Sequence, residues 1–560
     1  ALAGAEFAGL DRMEARKLAA AKLAEMGLLA KEEDYINKVG FSERADVPIE
    51  PRLSLQWFLK YPGVEEAKRV VRDGEIAFRP ERWTKTYLHW LDNLQDWCIS
   101  RQLWWGHRIP AWYFHKGQPD EEIRVQIAPP GPDWEQDEDV MDTWFSSWLW
   151  PFATMDAATK AKFYPTADLV TGPDIIFFWV ARMIMAGLEY EGRIPFKNVF
   201  FTSIIRDRQG RKMAKQLGNS PDPLDLIATY GADGLRFGLL RISPTGTDVK
   251  FDEKQIEEGR NFANKLWNAC RFRQMQPAAP AGNLDPAALG IYAVDILTKL
   301  DDLAVNLQSA LGEYEFNTAS NLLYEFFWAN YCDRYLETIK GDSSPGTLQA
   351  QDAVLRRFLL LLHPFMPHVT EELWEKLGFA RDGRQLMLEQ LPTARLLGRE
   401  HAARIAAATA NASAVYSAAA KARNLKAEYQ LAASKNVKFI LKPAADWVSG
   451  ELEIFKMLAG AASVEVVPDF AAPSGTPGAL TDLGQLYLPL EGLVDKAAER
   501  KRLEKELAKM QEQVTKTEAN LNNSNFVAKV PAAVLDEHRK RLEDFTARRG
   551  QIQQMLANLD

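Results

Sequence analysis

A chain of 560 residues is too long to close around one hydrophobic core, so several domains are expected. With 47% hydrophobic and 26% charged residues its composition is that of a globular protein, which excludes disorder as its main state. A net charge of -8 excludes nucleic-acid binding by bulk charge and leaves only local basic patches for an RNA partner. Cys98, Cys270 and Cys332 lie too far apart in sequence to signal a disulfide framework or a cysteine-rich metal knuckle, and a reducing cytosol suits them. No apolar run reaches membrane-spanning length. The first ten residues carry neither a basic leader nor an initiator methionine.

In chain order, residues 1–50 give a helix from Leu10 to Met26, with Met13, Leu18, Leu23 and Met26 as its apolar positions, and then an extended segment from Val39 to Arg44. Pro51 to Phe58 reads as β. Six tryptophans follow between Trp83 and Trp112, and the area an indole covers makes core the expected role for most of them. Trp105 stands apart: Gly106 follows it, an arrangement suited to the wall of a small apolar pocket. His107, before Arg108-Ile109-Pro110, is expected to be a structural hydrogen-bonding residue. Tyr113 to Asp139 is acidic and proline-rich and has no cysteine, so it cannot supply the paired thiolates of a tetrahedral zinc site.

Ala167 to Val170 reads as a strand, and Thr171-Gly172-Pro173-Asp174 as a turn into a helix. Such a junction turns backbone N–H groups toward a ligand and lets a carboxylate accept hydrogen bonds from a ribose. Ile175 and Trp179 are four apart and share a helix face, either as a core stripe or as a pocket wall. The apolar run Val199 to Ile205 predicts a buried strand, Asp207 and Gly210 a turn, and Asp222-Pro223 a helix start. Between them Lys212 and Lys215 stand three apart. On a loop at a strand's carboxyl end they suit a polyphosphate, because phosphoryl and nucleotidyl transfer ask mainly for positioning and charge neutralisation. A solvated basic hairpin tip is the competing reading.

Further on, Tyr230 to Arg236 reads as a helix end, a turn and an N-cap at Asp233. The helix Glu253 to Phe272 carries Arg260, Asn261, Asn264 and Lys265 beside Phe262, Leu266 and Trp267, and Pro277 to Pro286 is a linker. Residues 290–400 are helical throughout, with one long helix beginning at Phe316 and running past Tyr331. His363, Pro364, Pro367 and His368 are expected to stop one helix and start the next at Thr370, not to bind metal. A smaller α+β region holds strands at Val437–Leu441 and Val464–Val467, with a basic cluster at Lys421, Arg423 and Lys426 that either meets RNA or is solvated. Leu503, Leu507, Met510, Val514 and Leu521 keep an a/d spacing. Asn522 to Pro531 breaks it, and Leu535, Leu542, Phe545, Ile552, Leu556 and Leu559 resume it, which predicts an antiparallel coiled-coil hairpin.

Lys212-Met213-Ala214-Lys215-Gln216-Leu217-Gly218-Asn219 resembles the KMSKS loop of class I aminoacyl-tRNA synthetases, with Ala214 and Gln216 where the family usually carries serines. Ile99 to Pro110, Ser146-Ser147-Trp148-Leu149-Trp150-Pro151 and the terminal hairpin are similar to the valyl-tRNA synthetase family within that class. The resemblance implies a multidomain α/β plus α fold. Its parts would be the end of an editing domain and return segment (1–50), the second half of a Rossmann-type catalytic domain with the lysine loop (51–250), and a stem-contact helix and linker (251–280). A helical anticodon-binding domain (281–400), a small α+β connecting unit (401–490) and a coiled-coil tRNA-binding arm (491–560) would follow. The first Rossmann half with its HIGH histidines and most of the editing domain have no counterpart, so this chain is expected to be inactive unaided.

The implied activity is ATP-dependent ligation of valine to its tRNA through a valyl-adenylate, with Mg2+ accompanying ATP and no zinc. Gly172, Asp174, Lys212 and Lys215 would bind ATP, the two lysines catalytically. Trp105, Ile175 and Trp179 would form the valine pocket, and Arg260, Lys265, Lys501, Arg502, Lys505, Arg539 and Lys540 would meet tRNA. The family also implies a cytoplasmic monomer with no membrane partner. Ala214 and Gln216 leave both charges in place but remove hydroxyls, which puts the rate of loop closure in question. An isoleucyl or leucyl relative and a non-catalytic tRNA-binding module are the alternatives.

Overall fold

Three parallel strands organise the larger of two units, Pro62–Leu94 with Trp150–Asp560; the smaller unit is Ala1–Tyr61 with Gln95–Leu149. The computed structural model describes all residues except 1–3, 43–45, 51–52, 215–216, 245, 283, 381–382, 393, 435, 474–475, 494–495, 524–529, 531 and 560. Lys215 and Gln216 therefore lie outside the described residues, as do Glu43 and Arg44, Pro51 and Arg52, and most of the break expected at 522–531.

In the smaller unit, Asp11 caps the helix Arg12–Glu25 by accepting from the N–H of Met13 at 2.8 Å. Its expected apolar positions, Met13, Leu18, Leu23 and Met26, are all exposed. Of the expected β-run only Phe58–Leu59 is a strand, paired antiparallel with Trp97–Cys98; Leu53 and Leu55 ahead of it are fully exposed and meet no strand. Ser100–Arg101 pairs with Val140–Met141, and the cysteine-free segment forms a three-stranded antiparallel sheet with Ala111–Phe114 between Glu122–Val125 and Glu135–Gln136.

The core role expected for most of the tryptophans holds only for Trp97, which packs edge-on to Trp148 with centroids 5.5 Å apart. Trp104 and Trp105 are exposed, and Trp83, Trp90 and Trp112 are half-buried. The half-buried rings use one face or edge for packing: Trp90 stacks on Phe177, and Trp112 donates Nε1–H to the carbonyl of Gln126. Asp142 joins this core to the chain by accepting from Trp97 Nε1 at 3.2 Å, by pairing with Arg101, and by capping the helix Thr143–Ser147. His107 contributes through its main chain, whose carbonyl accepts from the N–H of Met141 at 2.7 Å; its imidazole is exposed.

In the larger unit the strand Phe196–Phe201 lies between Ala77–Arg79 and Thr166–Thr171, all parallel. Its phenylalanines and Val199 fill both faces, as a central parallel strand requires. Helices Val64–Arg72, Arg82–Asp92 and Ala181–Glu191 complete the α/β layers. The strand expected to run to Ile205 breaks after Phe201 and resumes as Ile205–Arg206, which pairs in parallel with Val249–Lys250.

The helices Ala232–Ile242 and Glu253–Gln274 cross closely, because a Cβ on Gly259 would stand 2.3 Å from the carbonyl oxygen of Gly234. Phe237 and Phe262 stack at 4.8 Å in that crossing and begin a single apolar core. The core continues through Ile291–Gly312, Phe316–Glu325, Pro345–Leu362, Pro367–Lys376 and Ala402–Glu428 into a four-stranded sheet and the terminal helices. That sheet has the order Ser463–Val466, Lys438–Pro443, Gly484–Tyr487, Gly478–Thr481. Among the described residues no helix is long and apolar enough to cross a membrane.

Three expectations are corrected here. The long helix from Phe316 is α only to Glu325 and continues as a π-helix from Phe326 to Tyr335. Asp233 is not the N-cap of its own helix, a position held by Gly231; its carboxylate reaches across the chain and accepts from the N–H groups of His368 at 3.3 Å and Val369 at 2.6 Å. It thereby caps the helix Pro367–Lys376, which opens with proline as expected. The basic cluster does not form a patch either, since Lys426 is 3% exposed on the carbonyl of Gly460 and Lys421 donates to that of Leu480, leaving Arg423 exposed.

The terminal helices Lys496–Asn522 and Ala532–Leu559 pack together, with Arg548 donating to Glu506 at 2.8 Å between them. Leu503, Val514 and Ile552 are buried as their spacing predicts, and Thr517 and Met555 join them without having been expected.

Candidate functional site

The carboxyl ends of the three parallel strands open on one cleft of about 610 Å3. The first strand leads to Arg82 and Trp83, the second to Pro173 and Asp174, and the central one to Thr202 and Ile204. Arg206, Lys212 and the segment Gly246–Asp248 complete the walls. Open parallel sheets place ligands at such strand ends, where loops present side chains and helix N-termini present N–H groups.

Gly172 ends the second strand. A Cβ there would stand 2.7 Å from Asp174 Oδ1, so glycine leaves the room that lets the carboxylate fold back over the strand end. The helix that follows is not a simple α-helix. It begins as a 3-10 turn at Pro173–Ile175, passes through a π-helix at Ile176–Val180 and becomes α only from Ala181. π-Helical turns often mark functional sites. Ile175 and Trp179, expected on an α-helical face, occupy this irregular stretch and are half-buried. Trp105, the third expected pocket residue, belongs to the smaller unit and is 89% exposed.

The lysine loop is built on a carboxylate and an amide. Asp207 accepts from the backbone N–H of Arg211 at 2.8 Å, from Arg211 Nε at 2.7 Å and from Asn219 Nδ2 at 2.9 Å. Asn219 in turn accepts from the N–H of Ala214 at 2.9 Å and donates to the carbonyl of Lys212 at 3.3 Å. The hydrogen bond from Asn219, with those from Arg211, holds the Asp207 carboxyl down at about 2. A folded pKa below that of an unfolded aspartate means that this scaffold is fully in place above about pH 4 and is lost only as the pH falls toward 2. Neither Asp207 nor Asn219 was singled out as functional from sequence. The signal was present in the Leu217-Gly218-Asn219 tail of the motif, where an asparagine with both donor and acceptor can stitch two strands of a loop.

The scaffold places Lys212 Nζ 2.7 Å from Asp174 Oδ2, so two residues expected to meet the same nucleotide meet each other across the cleft. Both side chains are about half-exposed or more, at 63% and 48%, and an ion pair of that kind contributes only about 0–1 kcal/mol. An anionic ligand can therefore displace it at little cost.

The residues expected to meet RNA are differently engaged. Arg260 pairs with Glu257 at 3.1 Å, and Lys265 pairs with Asp333 at 3.1 Å while lying 4.8 Å over the Trp328 ring. On the terminal helices Arg502 is clamped between Glu499 and Glu506, and Arg539 pairs with Asp536. Lys501, Lys505 and Lys540 are exposed with no carboxylate partner among the described residues, so they shed nothing on meeting a phosphate.

Three family models match the chain. They are tRNA synthetases class I (I, L, M and V) at residues 2–128 and 118–252, the anticodon-binding domain of tRNA ligase at 294–441, and the valyl tRNA synthetase tRNA binding arm at 495–560. The chain is 40% identical to a valine–tRNA ligase of Chlorobaculum tepidum over 96% of its own length and 63% of the relative's. It is 41% identical to one from Geobacillus stearothermophilus over 99% of its length and 64% of the relative's. The chain thus spans 63–64% of the length of these curated relatives. Among solved structures it is similar to Mycobacterium tuberculosis methionyl-tRNA synthetase bound by methionyl-adenylate, at 19% identity over 65% of this chain and 72% of that one, with a TM-score of 0.46.

Proposed function

The chain belongs to the valine–tRNA ligase family, and from that premise we propose that it serves the ATP-dependent activation of valine and its esterification to tRNA. The observation that carries the proposal is the approach of Lys212 to Asp174 at the strand ends, in a cleft of nucleotide size. On this reading ATP opens the pair. Asp174 turns to the ribose hydroxyls, and Lys212, with Lys215 beyond it in sequence, turns to the phosphates. A valine carboxylate oxygen then bonds to the α-phosphorus as the α–β bridging bond breaks, and pyrophosphate leaves with the electron pair. The ammonium groups neutralise the charge that gathers on that leaving group.

Mg2+ would accompany ATP on this reading and supply further charge neutralisation at the phosphates. Ile175 and Trp179 are the proposed walls for the valine side chain. Apolar walls exclude a larger side chain by sterics but reject threonine poorly, because an added hydroxyl of the same shape costs only about a hundredfold in selection.

Valine-dependent exchange of pyrophosphate into ATP by the complete enzyme tests the proposal, with isoleucine, leucine and threonine as competing amino acids. Exchange driven by valine supports it. Preference for isoleucine or leucine, or tight tRNA binding with no ATP turnover in the complete enzyme, replaces it with a relative's specificity or with a binding module. Within the same assay Asn219→Ala is expected to lower the rate by about tenfold or more, because it frees the loop from Asp207 and Ala214 and misplaces Lys212 without removing its charge. An unchanged rate would show that the amide does not position the loop.

A further inference from the structure

Three cations and two carboxylates line the cleft, and they are unequally engaged. Lys212 is held by Asp174 at 2.7 Å, and Arg206 by Asp248 at 2.5 Å. Arg82 is exposed and has no carboxylate partner among the described residues. Its guanidinium lies 5.2 Å over the ring of Trp83, which packs against the buried Phe201 at 5.8 Å and so braces it at the mouth of the cleft. The opposite wall is fitted to it as well. A Cβ on Gly246 would stand 2.5 Å from Pro80 Cγ and 3.4 Å from Arg82 Nη2, and Gly246 has φ +82, so the wall reaches the guanidinium only with glycine there.

We propose that Arg82 is a third phosphate-binding cation of the site, taking the pyrophosphate end of ATP together with Lys212. This rests on the adenylation reading and adds a residue outside the lysine loop. The other two cations must each leave a carboxylate before they meet an anion, whereas Arg82 need not. Its planar fork also offers a bidentate match to phosphate oxygens that a lysine lacks. Arg82 sits in the first turn of the helix Arg82–Asp92, whose positive end adds to the same field. As the α–β bond breaks, the negative charge passing to pyrophosphate is shared between Arg82 and Lys212.

Magnesium pyrophosphate and ATP titrated calorimetrically into the complete enzyme and its Arg82→Ala and Arg82→Lys variants test this, alongside valine-dependent exchange. Loss of a charge-assisted hydrogen bond predicts about ten- to hundredfold weaker pyrophosphate binding in Arg82→Ala. The KM for ATP should rise while that for valine and the thermal midpoint stay fixed, and Arg82→Lys should recover part of the loss. Pyrophosphate and ATP affinities of Arg82→Ala within twofold of wild type, while Lys212→Ala is impaired, would overturn the role of Arg82 and leave adenylation standing. A complete wild-type enzyme that binds neither ligand would overturn both. Equal weakening of ATP and valine with a lowered thermal midpoint would make Arg82 structural and also end the proposal.

Discussion

Replacing Lys212 with alanine in the complete enzyme is expected to slow valine-dependent ATP–pyrophosphate exchange by about 10²–10³-fold, the usual cost of removing one preorganised group from a developing negative charge. The fold should not suffer, because the ion pair lost with Asp174 is exposed and contributes little. The far-UV spectrum and thermal midpoint should therefore match wild type. Binding of tRNA should hardly change, since its proposed contacts, Lys265 and the lysines of the terminal helices, lie far along the chain. A fall in kcat with little change in the KM for valine would place the lysine at the leaving group. A rate within threefold of wild type would return the loop to the status of a solvated basic turn.

The largest effect on stability is expected at Arg357. Its guanidinium is 6% exposed and pairs at 2.9 Å with Asp301, itself 2% exposed, in the middle of the helical region. Asp301 also accepts from the N–H groups of Leu396 and Leu397, which ties the helix Ile291–Gly312 to the segment ahead of Ala402–Glu428. Arg357→Ala leaves a buried carboxylate without its countercharge and is expected to cost about 3–5 kcal/mol. Arg357→Met combined with Asp301→Leu should be milder, because it removes both charges.

The pH dependence has a definite sign. Burial already raises the Asp301 carboxyl above the ordinary range, against the pull of the Leu396 N–H and Arg357. Loss of Arg357 raises it further. The defect of Arg357→Ala should then be greatest at neutral and higher pH and shrink as acid protonates the carboxyl, which chemical denaturation at pH 8 and pH 5 can measure. A defect independent of pH would mean that the arginine's contribution is packing and not charge.

Features encoded by neighbours in sequence were legible. The turn at Asp207 and Gly210, the proline and aspartate that start Pro223–Tyr230, and the a/d spacing of Leu503, Met510 and Val514 each follow from local chemistry, and each is found in the structure. What escaped were contacts made between distant parts of the chain. Asp233 has the residue type of an N-cap and does cap a helix, but one that begins more than a hundred residues later. Lys426 reads as a surface cation until the carbonyl of Gly460 arrives to receive it. The π-helices at Ile176–Val180 and Phe326–Tyr335 have the same apolar content as α-helices, so periodicity alone does not separate them. In the site itself the lysines were visible as a motif, whereas Asp207 and Asn219 matter because the loop folds back on itself, and Arg82 because three strands end together.

The clasp between Asp233 and the helix Pro367–Lys376 bears on how the molecule can be divided. The proline-rich stretch near residue 280 looks like a natural place to cut, yet a piece excised there would leave Phe262 and its stacking partner behind. It would also strip the cap from Val369 and free Pro364 from Arg236. Surgery that respects this joint starts upstream of Ala232 and carries both crossing helices with the bundle.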